Sequence, residues 1–271
     1  MNRPVYKLLD WIDESKLDWV NLSSNLNAID LLKANPDKIN WSTLSLNPNA
    51  IELLEANPDK IVWVYLSKNS NAIKLLTENQ NKIDWTWFSL NPNAIELLKA
   101  NQDKIDWRYL SLNPNAIELL EANKKKISWD ILSINPNAYK LLESNKNKID
   151  WFNLSKNHNA YNLLVANKDK INWGLLSYNK NAIELLKANQ DKIDWRSLSL
   201  NPNGIELLKA NQDKIDWSKL SENPSIFELD YTQMRINFQD LEEEIIKEVM
   251  KPQRIFRNLE LYGYDIDDMF D

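Results

Sequence analysis

Tryptophan recurs every 22 residues, ten times without a slip: Trp19, Trp41, Trp63, Trp85, Trp107, Trp129, Trp151, Trp173, Trp195 and Trp217. A fixed period over three quarters of a chain marks a repeat protein, in which one supersecondary unit stacks on copies of itself. The core of such an array grows in one dimension. The 271 residues are therefore read as one elongated domain with two capped ends.

The residue before each Trp is a good helix N-cap (Asp, Asn or Ser) in nine copies and Val62 in the tenth, so a short helix starts at each Trp. Six residues after each Trp stands an Asn, from Asn25 to Asn223, and Pro follows it in six copies. Asn then Pro reads as N-cap and N1 of a second helix, running from Pro114 to Ala122 in the fifth copy. Ala116, Ile117, Leu119 and Leu120 gather on one face of that helix. A further invariant Asn (Asn35 through Asn211) is placed to end it in the left-handed conformation. The expected fold class is all-α: an α-solenoid of about ten 22-residue two-helix repeats with helical caps.

A leucine-rich repeat also has about this period, but it needs an apolar residue five after the Trp. That position holds Lys68, Lys156 and Glu222 in three copies, and unpaired charges do not line a core.

The unit D-W-x-x-L-S-x-N-P-N-A-I-E-L-L-K-A-N-x-D-K-I resembles tandem repeats of mimivirus-type giant DNA viruses over residues 18–224. The ending from Lys251-Pro252-Gln253-Arg254-Ile255 to Gly263-Tyr264-Asp265-Ile266-Asp267-Asp268 is similar to endings common in such proteins. The resemblance implies a viral protein acting inside an infected cell, in the host cytoplasm or the virion. It offers no catalytic residues to carry over.

Composition narrows the function classes. Net charge is −6, which disfavours a general polyanion binder. With no Cys and one His, His158, an ordinary zinc site cannot be built, and three scattered glycines make no phosphate loop. The N-terminus lacks the apolar core of a signal peptide, and no apolar run approaches the ~20 residues that span a bilayer. The expectation is a non-enzymatic protein with no cofactor, no metal and no membrane partner.

Invariant ladders read as scaffold. The Trp row is assigned to the interior between repeats, and the Ser row (Ser23 to Ser221) to hydroxyl bonds with nearby carbonyls. The Asn rows are assigned to caps and bridges. A Lys row from Lys38 to Lys214 invites an anion-binding reading, but Asp precedes it in six copies, and its stems can cover indoles. Variable positions carry identity. One, two and five residues after each Trp, they lie together opposite the Trp/Leu face, and in the middle copies they are apolar and aromatic. Tyr65, Trp87, Leu90, Tyr109, Leu112, Ile131, Ile134 and Phe152 form the expected protein-binding strip. The partner is another protein, viral or host, or a second copy of this chain in a self-assembling virion component. Nucleic acid is disfavoured.

Residues 1–17 are assigned to an N-terminal cap, with a helix over 4–17. Residues 18–224 form the repeats, and 225–271 a helical C-terminal cap with an acidic tail. In that cap Phe238 to Met250 reads as an amphipathic helix with Leu241, Ile245 and Val249 on one stripe. A further helix begins at Pro252. Layers ~9–10 Å apart would stack into a rod or shallow arc on the order of 90 Å long.

Overall fold

The computed structural model describes residues 4–251 and Arg254. Its chain is a mostly helical array with a strict 22-residue repeat. Each repeat is numbered here from its Trp, so repeat 1 begins at Trp19 and repeat 10 at Trp217, and positions are counted from that residue.

Repeat 5 shows the local logic. Asp106 caps a one-turn helix, Trp107–Leu110, by accepting from the Tyr109 N–H at 3.0 Å. The equivalent side chain caps in eight of the ten repeats. Val62 has no oxygen to offer, and the Ser128 hydroxyl turns to Asp130 instead. The Asn113 side-chain Oδ1 then accepts from the Asn115 N–H, holding a turn. The second helix, Ile117–Ala122, starts three residues later than the Asn-Pro pair suggests.

That helix does not end in a left-handed residue. Asn123 has φ −126° and ψ 44°, and its amide donates to the Leu119 carbonyl at 2.9 Å. The side chain itself satisfies a terminal carbonyl, and a 3-10 turn, Lys124–Lys126, carries the chain onward. No positive φ is needed.

The core runs along the array as rows of fully buried side chains. One row is the Leu three residues after each Trp, with Phe88 in repeat 4. Others are Leu32, Leu54, Leu76 and their successors, and the Ala row from Ala28 to Ala182. The Trp row is only half-buried, which corrects the expectation of an interior ladder. One indole face packs inward, as where Trp85 meets Phe88 edge-on at 5.6 Å. Over the Trp107 indole lies the Lys126 ammonium, 4.3 Å from the ring centre. Nine of these Lys–Trp pairs recur around the array. Lys60 is the exception and lies 3.5 Å from Asp59.

Buried polar rows fasten one repeat to the next. The Asn113 amide donates to the Ser89 carbonyl at 3.0 Å and the Asn91 carbonyl at 2.8 Å, both in the preceding repeat. The Ser111 hydroxyl donates to the Trp107 carbonyl and accepts from the Ser128 N–H. Among the described residues, no buried side-chain nitrogen or oxygen lacks a partner.

The same bonds join the first repeat to the last. The Asn25 amide donates to the Ser221 and Asn223 carbonyls, both at 2.9 Å. The Asp18 N–H donates to the Ser221 hydroxyl at 2.8 Å, and the Asn27 amide to the Pro224 carbonyl. Each contact is the counterpart of one between sequential repeats, such as Asn47 with Ser23 and Asn25. The array is therefore a closed ring of ten layers, not a rod or an arc. Each repeat turns by about 36°, and ten such rotations return the chain to its start.

The tenth layer is composite. Residues 217–226 supply its first half. Its second half comes from the other end of the chain, where the 3-10 turn Glu14–Lys16 stands in the place of the turns at Pro36–Lys38 and beyond. Lys16 lies 5.1 Å from the Trp217 ring centre, as Lys38 lies over Trp19. The expected capping helix over 4–17 is consequently absent. Tyr6–Leu8 is a strand (β1) paired with Phe227–Leu229 (β2). Leu9 N–H donates to Ile226 O and Asp230 N–H to Val5 O, an antiparallel register. A closed ring has no polar end faces to build, so nothing there demands a cap.

The chain divides into two compact parts, residues 8–227 and residues 1–7 with 228–271. In the second part, Lys7 and Glu228 pair at 3.0 Å. The helix Tyr231–Val249 begins seven residues before the expected Phe238, capped by Asp230 accepting from the Gln233 N–H. Ile245 is exposed. The side chains of Leu241 and Val249, the helix expected from Pro252 and the acidic tail at 265–271 lie outside the described residues.

Candidate functional site

Closure of the ring decides where the variable positions point. At position +2, Tyr65 and Trp87 meet edge-on with centroids 6.1 Å apart, and Trp87 stacks on Tyr109 at 6.2 Å. Neighbours 6.2 Å apart on a ten-membered circle sit about 10 Å from its axis, while helix axes spaced ~9 Å apart sit near 15 Å. The aromatic row therefore runs along the inner side of the ring. Tyr109 is exposed, and Tyr65, Trp87 and Ile131 are half-buried.

The row has defined ends. In repeats 1, 2 and 7 the +2 residue is Asn21, Thr43 or Asn153, and each donates to the +1 backbone carbonyl of the neighbouring repeat. An aromatic there forgoes that bond and stacks instead. Of the eight residues expected to form one strip, the structure joins Tyr65, Trp87 and Tyr109 by direct ring contact, with Ile131 next in the row. Phe152 is at +1, is 58% exposed and lies on a different edge of its helix. Beside the row, Arg108 pairs with Asp130 of the next repeat at 3.2 Å.

Leu90, Leu112 and Ile134 belong to position +5. Lys68 in repeat 3 and Lys156 in repeat 7 share that position, four repeats apart along the chain. Desolvation lowers the Lys156 pKa, Lys68 lowers it further, and Glu222 of repeat 10 opposes both. Among the described residues, neither ammonium has a carboxylate partner within ion-pair distance. Lys156 lies 4.1 Å from the Tyr178 ring centre and Lys68 lies 5.6 Å from that of Trp87.

The other +5 residues are Ser24, Leu46, Leu90, Leu112, Ile134, Tyr178 and Leu200, all half-buried or partly exposed. Tyr178 keeps 37% of its surface, while desolvation, and then Glu222, pushes its phenol up. A depression lined by Lys156, Tyr178, Glu222, His158 and Lys180 joins positions +5 and +7 of successive repeats. His158 is half-buried there. Desolvation and then the Lys180 charge lower its pKa.

Two signals in the sequence pointed here. Lys16-Leu17-Asp18-Trp19 repeats the Lys-Ile-Asp-Trp junction of later copies, which makes the N-terminal segment part of a repeat. The mixed charges at +5, which exclude a packed core, equally mark a row that keeps contact with solvent.

Among the described residues, no three His, Cys, Asp or Glu side chains converge as a metal set. No described helix is long and apolar enough to cross a membrane. No family model matches this sequence, and no curated protein or solved structure is significantly similar to it.

Proposed function

We propose that this chain is a non-enzymatic interaction scaffold that binds a protein partner through the row Tyr65, Trp87, Tyr109 and Ile131. One observation carries the reading. Three aromatic rings on successive repeats are in contact at 6.1 and 6.2 Å, so residues 22 apart in sequence make one continuous surface. Aromatic anchors of this kind dominate binding energy in protein interfaces. The repeated helical architecture suits the role, since the invariant rows hold the ring and leave the variable rows free to recognise. The setting in this proposal is a virus-infected cell or a virion, as the resemblance of the repeat unit implies. A nucleic-acid role for the Lys row is disfavoured, because that row is already placed over the indoles.

The test is the double substitution Trp87→Ser with Tyr109→Ser. Pull-down from infected or host cells should lose its specific partner while the circular dichroism spectrum is retained. Light scattering on the purified chain distinguishes self-assembly: an oligomer that the double variant dissociates replaces the partner with a second copy. Retention of every partner by the folded double variant sinks the proposal. A Lys104→Ser variant that loses the partner while the aromatic pair is silent would point to an anionic partner instead.

A further inference from the structure

We propose that the depression lined by Lys156, His158, Tyr178, Lys180 and Glu222 is a binding site for an α-amino dicarboxylate, aspartate or glutamate, with its carboxylates on the two lysines and its ammonium on Glu222. The inference does not rest on the proposed partner, whose aromatic row lies on repeats 3 to 6.

Placement in the sequence is the first argument. Invariant positions hold a repeat array together, so departures from the repeat are free to carry specificity. Position +7 is Pro in six repeats, Leu26 in repeat 1 and Ser70 in repeat 3. Its only ionisable residues are His158 and Lys180, on the adjacent repeats 7 and 8. Position +5 carries four ionisable residues, and three of them are Lys156, Tyr178 and Glu222. The fold gathers those three and both ionisable +7 residues around one cavity of about 260 Å³. That volume suits a small molecule rather than a drug-sized one.

Charge is the second argument. The lining carries two cations, Lys156 and Lys180, and one anion, Glu222. Aspartate and glutamate at neutral pH carry two carboxylates and one ammonium, the same set with every sign reversed. Among the described residues, none of the three charged groups has an opposite charge within ion-pair distance, although they border one space. The Lys156 ammonium lies 4.1 Å from the Tyr178 ring centre, a contact that positions the cation without neutralising it. The Tyr178 hydroxyl and the His158 imidazole are further hydrogen-bonding groups for a carboxylate. Leu200, Pro202 and Pro224 complete the lining and offer apolar surface to the ligand's methylene carbons.

His158 is the chain's only histidine, so its imidazole proton resonances report on this depression alone. Titrating the full chain with L-glutamate, and separately with L-aspartate, should shift them along a saturable one-site curve for at least one of the two. Low ionic strength keeps the exposed charges unscreened. Glutarate, which lacks the ammonium, and L-glutamine, which lacks the second carboxylate, should each bind roughly tenfold more weakly. Lys156→Gln and Lys180→Gln should each weaken the amino dicarboxylate by about tenfold. Glu222→Gln should weaken it too while tightening glutarate, a crossing of preferences that a distorted ring does not produce. Circular dichroism establishes that each variant is folded. Absence of a saturable shift with both amino acids overturns the proposal. So does glutarate binding as tightly as the amino acid, or a Glu222→Gln variant that changes both ligands in the same direction. The Trp87/Tyr109 double variant keeps every residue of the depression, so loss of a protein partner and loss of amino-acid binding are separable results.

Discussion

The Lys16 ammonium lies 5.1 Å from the centre of the Trp217 indole, completing a layer whose other half is near the opposite end of the chain. That single pair repeats the relation of Lys126 to Trp107 inside an ordinary repeat. Ring closure thus uses no special device, only the contacts every repeat already makes.

If the seam is an ordinary interface, it should cost an ordinary amount to damage. Asn113→Ala removes two buried inter-repeat bonds and one local cap, and should lower stability by about 3 kcal/mol. Asn25→Ala removes the same set at the seam and should cost a similar amount in urea melts. A seam variant that costs under about 1 kcal/mol means the ring is open in solution.

Closure also changes what a deletion does. Removing residues 107–128 leaves nine repeats, each of which must turn about 40° rather than about 36° to meet. The urea midpoint should fall by more than the tenth of the stability that an open array would lose. In that background Asn25→Ala should become nearly silent. If it still costs as much as in the full ring, nine repeats close as well as ten.

The half-buried indoles set a further pair of magnitudes. Trp107→Ala should cost about 2–4 kcal/mol, below the full range for an enclosed aromatic. Lys126→Met, which removes the cation over that ring, should cost about 0.5–1 kcal/mol. Trp87→Ala forfeits two ring contacts worth ~1 kcal/mol each, so its loss should fall between them. Thermal or urea melts that show Trp87→Ala to be the worst of the three would contradict this order.

Lys156 supplies a pH test. Its folded pKa is lowered from 10.5, chiefly by desolvation and then by Lys68. The penalty for its charge is full below the folded pKa and fades as pH rises toward the unfolded value. Lys156→Met should therefore raise the melting temperature at neutral pH, with the gain shrinking in alkaline buffer. Tyr178 titrates in the same alkaline range with opposite sign, and Glu222 partly offsets the penalty. The readout is thus the difference between the two proteins, not either curve alone. A variant less stable at neutral pH would show that the Tyr178 contact outweighs desolvation.

Much of this was legible in the sequence because it is local or repeated. The 22-residue period, the caps at Asp106 and its equivalents, and the bridging Asn and Ser rows all follow from residue type and spacing. The +2 row was legible too, since stacked layers align equal positions. Closure was not. A per-repeat rotation of a few tens of degrees is set by how neighbouring layers pack, and small differences there separate an arc from a ring. The second misjudgement followed from the first. Without a centre, position +5 is only another exposed position. Phe152 was grouped by its hydrophobicity, although its +1 position set it apart from the row.

The composite layer has a consequence for how the molecule is made. A chain emerging N-terminus first presents Lys16 and Leu17 long before Trp217 exists for them to cover. Nine layers can stack as they are synthesised, yet the Asn25 amide and the first repeat's flank wait for Ser221 and Asn223. A product cut short anywhere before them presents two raw faces instead of none. The seam therefore reports that the tenth layer has been made: only a chain that extends past Asn223 can cover the flank of its first repeat.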